Sequence, residues 1–113
     1  MSELEAIDGQ NWEAFLNSPK AVLLLGKTDC QACNEWTEEL KAFLASGEAP
    51  QDVRYGKMLI DKPGLISFKR ANPWLKDVHD LPTTFIYQNG DQKKSFVGKG
   101  VERLTNRLAR LAG

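Results

Sequence analysis

Thr28-Asp29-Cys30-Gln31-Ala32-Cys33 holds the chain's two cysteines, separated by two residues. It follows the apolar run Ala21-Val22-Leu23-Leu24-Leu25 and precedes a helical pattern. The run does not alternate, which suits a strand buried on both faces of a mostly parallel sheet. Ala32, Trp36, Leu40, Phe43 and Leu44 then make an apolar stripe at helical spacing. The helix is expected from about Cys30 to Ser46, with Gly47 as its stop. Thr28-x-x-Gln31 fits a capping box, and Asp29 is the alternative cap. A strand that ends in Cys-x-x-Cys and opens a helix puts the first thiol beside unpaired amides and the positive helix end. Both favour its thiolate.

Upstream, a short edge strand is expected around Leu4 to Ile7. Asp8 caps a short helix carrying Trp12, Phe15 and Leu16 on one face, and Ser18-Pro19 ends it. Downstream, Val53 to Asp61 reads as a strand. Residues 63–80 read as a helical segment in two pieces. Pro63 starts the first, Leu65, Ile66 and Phe68 supply its apolar contacts, and Pro73 breaks it. Trp74, Leu75 and Val78 form the second. Thr84-Phe85-Ile86-Tyr87 is a strand rich in β-formers. Asn89-Gly90 signals a hairpin, and Ser95-Phe96-Val97 is the return strand. Val101, Leu104, Leu108 and Leu111 put a stripe on a last helix, with Arg103, Arg107 and Arg110 outside it. Strands alternating with helices imply right-handed crossovers, and the closing hairpin makes the sheet mixed. The fold class is α/β, a three-layer α/β/α sandwich with a central mixed sheet.

A length of 113 residues favours one domain, 1–113, large enough for an ordinary core. The 15 basic and 15 acidic residues leave no net field to attract nucleic acid or an anionic membrane, so neither is expected as a partner. No apolar run approaches the length of about 18–20 residues that spans a bilayer. The start, Met1-Ser2-Glu3-Leu4-Glu5-Ala6, is acidic and mixed where a secretory signal would be basic and then apolar. A cytoplasmic, monomeric protein is the expectation. In that compartment a lone Cys-x-x-Cys reads as redox or metal chemistry. His79 is the one histidine. With Cys30, Cys33 and a carboxylate it would complete a zinc site, but no second Cys-x-x-Cys or histidine pair accompanies it, and no metal is expected.

In order and spacing, the chain resembles the thioredoxin family over nearly its whole length. The carrying residues are Cys30-Gln31-Ala32-Cys33 after a buried strand, Lys57-Met58-Leu59-Ile60-Asp61, Leu81-Pro82-Thr83 before a strand, Asn89-Gly90 in a hairpin, and Val97-Gly98 before the last helix. The resemblance implies a thioredoxin fold and a redox disulfide between Cys30 and Cys33. It implies that Cys30 attacks and Cys33 resolves. It also implies a cis bond before Pro82, packed beside the dithiol, with Leu81 and Pro82 receiving the substrate backbone. The activity implied is thiol–disulfide exchange on protein disulfides through a mixed-disulfide intermediate. That chemistry needs no bound cofactor, and its partners are a disulfide-containing protein and an electron-donating reductase or dithiol. A second reading of the same residues stays open: a binding module or redox sensor without catalytic turnover, in which the Pro82 loop and Trp74 hold a partner.

The chain departs from the family pattern in four places. Gln31-Ala32 stands where the family has Gly-Pro, Asp29 where it has Trp, and Leu24 where it buries an acid under the dithiol. The stretch between Asp61 and Pro82 is longer and carries Pro73 and Trp74. Lys57 matches a family lysine that approaches the dithiol, and it is a tuning residue there or an ordinary strand lysine here. Without the acid, proton removal from Cys33 falls to solvent, Asp29 or another group. Asp29 either caps the helix or tunes Cys30. In the second role its carboxylate disfavours the thiolate and stabilises the disulfide. The dithiol is then a reductant. Equilibration with glutathione is expected to place it below about −200 mV, and a potential well above that would remove the tuning role of Asp29.

Overall fold

Strand β2 (Lys20–Gly26) lies in the middle of a five-stranded sheet of order β1-β3-β2-β4-β5. The structure is a computed structural model that describes residues 2–111. β2 pairs in parallel with β3 (Arg54–Leu59), which pairs in parallel with β1 (Leu4–Ala6). On its other side β2 pairs antiparallel with β4 (Thr83–Gln88), which pairs antiparallel with β5 (Asp91–Val97). The sheet is mixed, as expected.

The unbroken apolar run of β2 follows from its position. Val22 and Leu24 join a core with Trp36, Leu40 and Leu44 of α2 (Gln31–Ala45) and Leu104 of α4 (Val101–Ala109). Ala21, Leu23 and Leu25 point the other way. They pack with Phe15 and Leu16 of α1 (Trp12–Leu16) and Phe68 of α3 (Ile66–Ala71). Successive strand residues face opposite sides, so a strand covered on both faces is apolar at every position. Gly56 is the small residue of β3. A side chain there would meet Ile7 at 2.5 Å and Phe15 at 2.7 Å, so its absence lets the α1 layer close on the sheet.

Several expected boundaries shift. The strand expected over 53–61 spans Arg54–Leu59, and the return strand starts at Asp91. The strand expected from Thr84 runs over Thr83–Gln88. Asn89 at φ 52° and Gly90 at φ 86° make the hairpin turn that their pair signals. Pro63 does not start α3. Gly64 follows it at φ 86°, outside helical backbone, and the helix begins at Ile66. Asp8 acts one turn ahead of α1: its Oδ1 accepts from the amides of Gln10 and Asn11, and Asn11 is the N-cap. The piece after Pro73 is a 3₁₀ turn over Pro73–Asp77.

Two apolar assignments fail. Ile66 is 66% exposed, because the first turn of α3 is buried through Leu65 and Phe68 instead. Ala32 is exposed at the open end of α2, and Cys33 takes the buried position. The arginines of α4 are more than a solvated face. The guanidinium groups of Arg103 and Arg107 lie 4.8 and 5.1 Å from the Phe96 ring centre. Trp74 packs at 4.8 Å between ring centres on Phe85, a core role.

Leu104 is the fully buried residue of α4 and ties it to β2 and β4 through the shared core. Leu104→Ala is expected to cost about 2–5 kcal/mol in denaturant unfolding. Ile66→Ala is expected to stay within about 0.5 kcal/mol of the parent. Equal losses would contradict the burial described.

Candidate functional site

The two cysteines sit where β2 hands the chain to α2. Cys30 is the N-cap residue, with extended backbone, and its Sγ accepts from the amide of Cys33 at 3.2 Å. Neither Thr28 nor Asp29 is the cap. Asp29 lies at φ 55°, away from the extended conformation of a capping residue. Thr28 bonds elsewhere: its amide donates to both carboxylate oxygens of Asp61 at 3.1 Å, and its hydroxyl donates to Asp61 Oδ2. Asp61 follows β3, and the Ile60 amide beside it donates to Gly26 O at 2.9 Å. The end of β3 thus anchors the turn that presents Cys30.

Cys30 and Cys33 form a disulfide, with Cα atoms 5.2 Å apart. The two sulfurs are not equivalent. Cys30 is half-buried at the rim, and Cys33 is fully buried. A side-chain carbon at Gly26 would lie 3.4 Å from Cys33 Sγ and 3.7 Å from Leu24 Cδ2. The glycine leaves room for the inner cysteine, and the surroundings beneath it are apolar. Thr37, one turn along α2, donates its hydroxyl to the Cys33 carbonyl at 2.7 Å.

The peptide bond between Leu81 and Pro82 is cis. Pro82 is buried, and Leu81 is half-buried. The next residue, Thr83, pairs with Leu25, so the proline stands at the sheet end where Gly26 meets Cys33. The Pro82 carbonyl accepts from the Gly98 amide at 2.8 Å. Thr84 Oγ1 accepts from Trp36 Nε1 at 2.9 Å, which ties the proline strand to α2. The sheet therefore brings Cys30, Cys33, Leu81 and Pro82 to one end, with Asp29 exposed next to Cys30.

Lys57 is set apart. It pairs in register with Leu24 and lines a separate cavity with Thr37 and Lys41, behind the dithiol. Burial pushes its ammonium below the ordinary lysine range, and the Lys41 charge acts the same way against an opposing effect of Glu38. His79 lies exposed between the 3₁₀ turn and Leu81. Among the described residues no cluster of three or more His, Cys, Asp or Glu side chains is placed to hold a metal ion. Among the described residues no helix is long and apolar enough to cross a membrane.

Three participants escaped the sequence reading. Thr37 is one helical turn past Cys33, a spacing that pointed to it. Asp61 was read only as the end of a strand motif, without its bond to Thr28, and Lys99 carried no local signal. Lys99 Nζ sits 3.1 Å from Glu35 Oε1 and 3.4 Å from Glu39 Oε2, across the groove that runs along α2 from Cys30. The Lys99 hydrogen bond, followed by that of Gln31, lowers the Glu35 pKa.

No protein-family model matches the sequence, and no curated protein is significantly similar to it. Solved structures are similar. Thioredoxin O2 from Arabidopsis thaliana in the oxidized state superposes with a TM-score of 0.71 at 22% identity, over 99% of this chain and 96% of the other. Thioredoxin f2 from Chlamydomonas reinhardtii gives 0.73 at 19% identity, over 95% and 94%. Thioredoxin f from spinach chloroplast, in its long form, gives 0.75 at 14% identity, over 95% and 84%. The chain has the thioredoxin fold. The element order, the cis-proline and the Cys-x-x-Cys disulfide expected from the resemblance are all present.

The Asp61 clamp on Thr28 is testable by itself. Hydrogen bonding from Thr28 lowers the Asp61 pKa. The folded-state value is depressed, so the clamp is fully present above the ordinary carboxylate range and is lost as pH falls through the folded pKa. Asp61→Asn is expected to speed amide exchange at Thr28 several-fold at neutral pH, and acidifying the parent protein should lower the Thr28 protection factor, the measured rate being referred to the intrinsic rate at each pH. Unchanged exchange in the variant would show that the turn holds without Asp61.

Proposed function

We propose that residues 1–113 act as one thioredoxin-like domain, a thiol–disulfide oxidoreductase that reduces protein disulfides. The observation that carries this reading is the unequal pair at the start of α2: a half-buried Cys30 whose sulfur caps the helix, and a buried Cys33 behind it, at the sheet end that holds cis-Pro82. The thioredoxin fold supports it, and the low identities of the solved relatives leave the substrate to experiment.

In the reduced protein the Cys30 thiolate attacks one sulfur of a substrate disulfide. A bond forms between Cys30 Sγ and that sulfur, the substrate S–S bond breaks, and the other substrate sulfur leaves as a thiolate. The Cys33 thiolate then attacks Cys30 Sγ. That step forms the intramolecular disulfide and frees the second substrate thiolate. Protons from the two protein thiols end on the substrate thiols, and the substrate is reduced by two electrons. A reductase or small dithiol returns them.

The helix start favours the thiolate of Cys30 over that of Cys33, which makes Cys30 the attacking group. The carbonyl and amide groups around Leu81 and Pro82 would receive the substrate backbone beside Cys30. Asp29 adjoins Cys30 at the surface, where its carboxylate opposes the thiolate. Lys57 would act from the cavity it lines with Thr37, whose hydroxyl donates to the Cys33 carbonyl, rather than by touching a sulfur.

Insulin reduction driven by dithiothreitol tests the reading. The parent protein is expected to accelerate precipitation of the insulin B chain, and Cys30→Ser should fall to the uncatalysed rate. Cys33→Ser should retain the first exchange and accumulate a mixed disulfide at Cys30. Equal activity of parent and Cys30→Ser would remove the enzyme reading and leave the binding module.

A further inference from the structure

Behind the sheet end that carries the dithiol lies a cavity of about 330 Å³, formed by β1, the end of β3, α2 and the loop over 62–65. That volume falls at the small end of the range for ligand pockets, about 300–1,000 Å³. Its walls are largely apolar, and Leu59 and Leu65 are among them. Three lysines also line it: Lys41, Lys57 and Lys62.

The charges there do not cancel. The two acids of the lining are Glu5 and Asp8, and both are engaged elsewhere. Glu5 accepts from Arg54 Nη2 at 2.6 Å and Arg54 Nε at 2.9 Å. Asp8 Oδ1 accepts from the backbone amides of Gln10 and Asn11 at 2.9 and 3.1 Å. Lys41 has an exposed neighbour, Glu38, at 3.6 Å, a pair of little strength. Among the described residues Lys57 and Lys62 have no ion pair. Lys57 is partly desolvated and is repelled by Lys41, and the weaker attraction of Glu38 does not offset the two. A single anionic head placed between these ammonium groups relieves that repulsion, and an apolar tail covers the leucines.

We propose that this cavity binds a small amphipathic monocarboxylate, with its carboxylate between Lys41, Lys57 and Lys62 and its tail on Leu59 and Leu65. The site is distinct from the dithiol and does not rest on the redox reading. A phosphate would find the cations and leave the apolar wall unused. An alkylammonium would fit the wall and meet three like charges.

The full chain, labelled with nitrogen-15 in its disulfide form, is titrated with sodium octanoate, octylammonium chloride and inorganic phosphate in separate arms. Octanoate is expected to shift the amides of Thr37, Lys57 and Leu59 saturably, with the other two probes at least about tenfold weaker. Lys57→Met keeps most of the stem and removes the charge, and it should weaken octanoate about tenfold. Should that variant fail to fold, exposed Lys62→Gln takes its place, with a several-fold loss expected. Unshifted amides, equal binding of octylammonium or phosphate, or unchanged affinity in the folded variant would each overturn the proposal.

Discussion

The structure depends on the burial of β2 on both faces. A central strand can be covered twice only if every residue is apolar, and only if helices pack above and below. Val22 and Leu24 satisfy α2 and α4, while Ala21, Leu23 and Leu25 satisfy α1 and α3. The strand then has to end at a residue that lets the next helix start directly over the sheet. Gly26 is that residue, with Cys33 packed against it. The inner cysteine is buried because the strand is buried, and the outer one is accessible because it precedes the first turn of the helix. The unequal exposure of the two cysteines is a by-product of core packing.

Much of this was legible in the sequence. An apolar run without alternation, a Cys-x-x-Cys and a helical stripe in that order leave few arrangements. Leu81-Pro82-Thr83 and Asn89-Gly90 then place the antiparallel half of the sheet. Local chemistry was read less well. Thr28 and Gln31 matched a capping box, yet the cap is the Cys30 sulfur, and the Thr28 amide from which Gln31 would accept is taken by Asp61, 33 residues away and just past β3. A local motif loses to a long-range carboxylate that the motif cannot announce. Ala32 and Ile66 failed for a related reason. Helical spacing predicts a face, but the first turn of a helix often projects past the layer it packs on.

Arg103 and Arg107 of α4 lie outside the apolar stripe, as their charge implies, and still cover part of the core. Charge put them outside the apolar stripe, and geometry laid their planar heads on Phe96, with Arg103 Nη1 also donating to the Val97 carbonyl at 2.7 Å. Arginine covers apolar surface with its stem and ring faces with its head. The stripe of Val101, Leu104 and Leu108 is therefore widened by its charged neighbours, and the strand next to the proline loop is held by a cation.

The electrostatics around the dithiol differ in kind on its two sides. On the outer side Glu35, Glu39 and Lys99 are exposed and mutually paired. Water and salt screen such groups within about 10 Å, so they say little about the thiolate. On the inner side Leu24 puts hydrocarbon where the thioredoxin pattern has an acid, and Lys57 stands half-buried in the next strand without that partner. A buried carboxylate and lysine would offset each other. Lys57 shares its surroundings with Lys41 and Glu38, whose charges act on it in opposite directions. Burial of Cys33 among hydrocarbon disfavours a thiolate there by desolvation. The inner cysteine is thus set against Gly26, with Leu24 beside it, and Lys57 lines a cavity of its own.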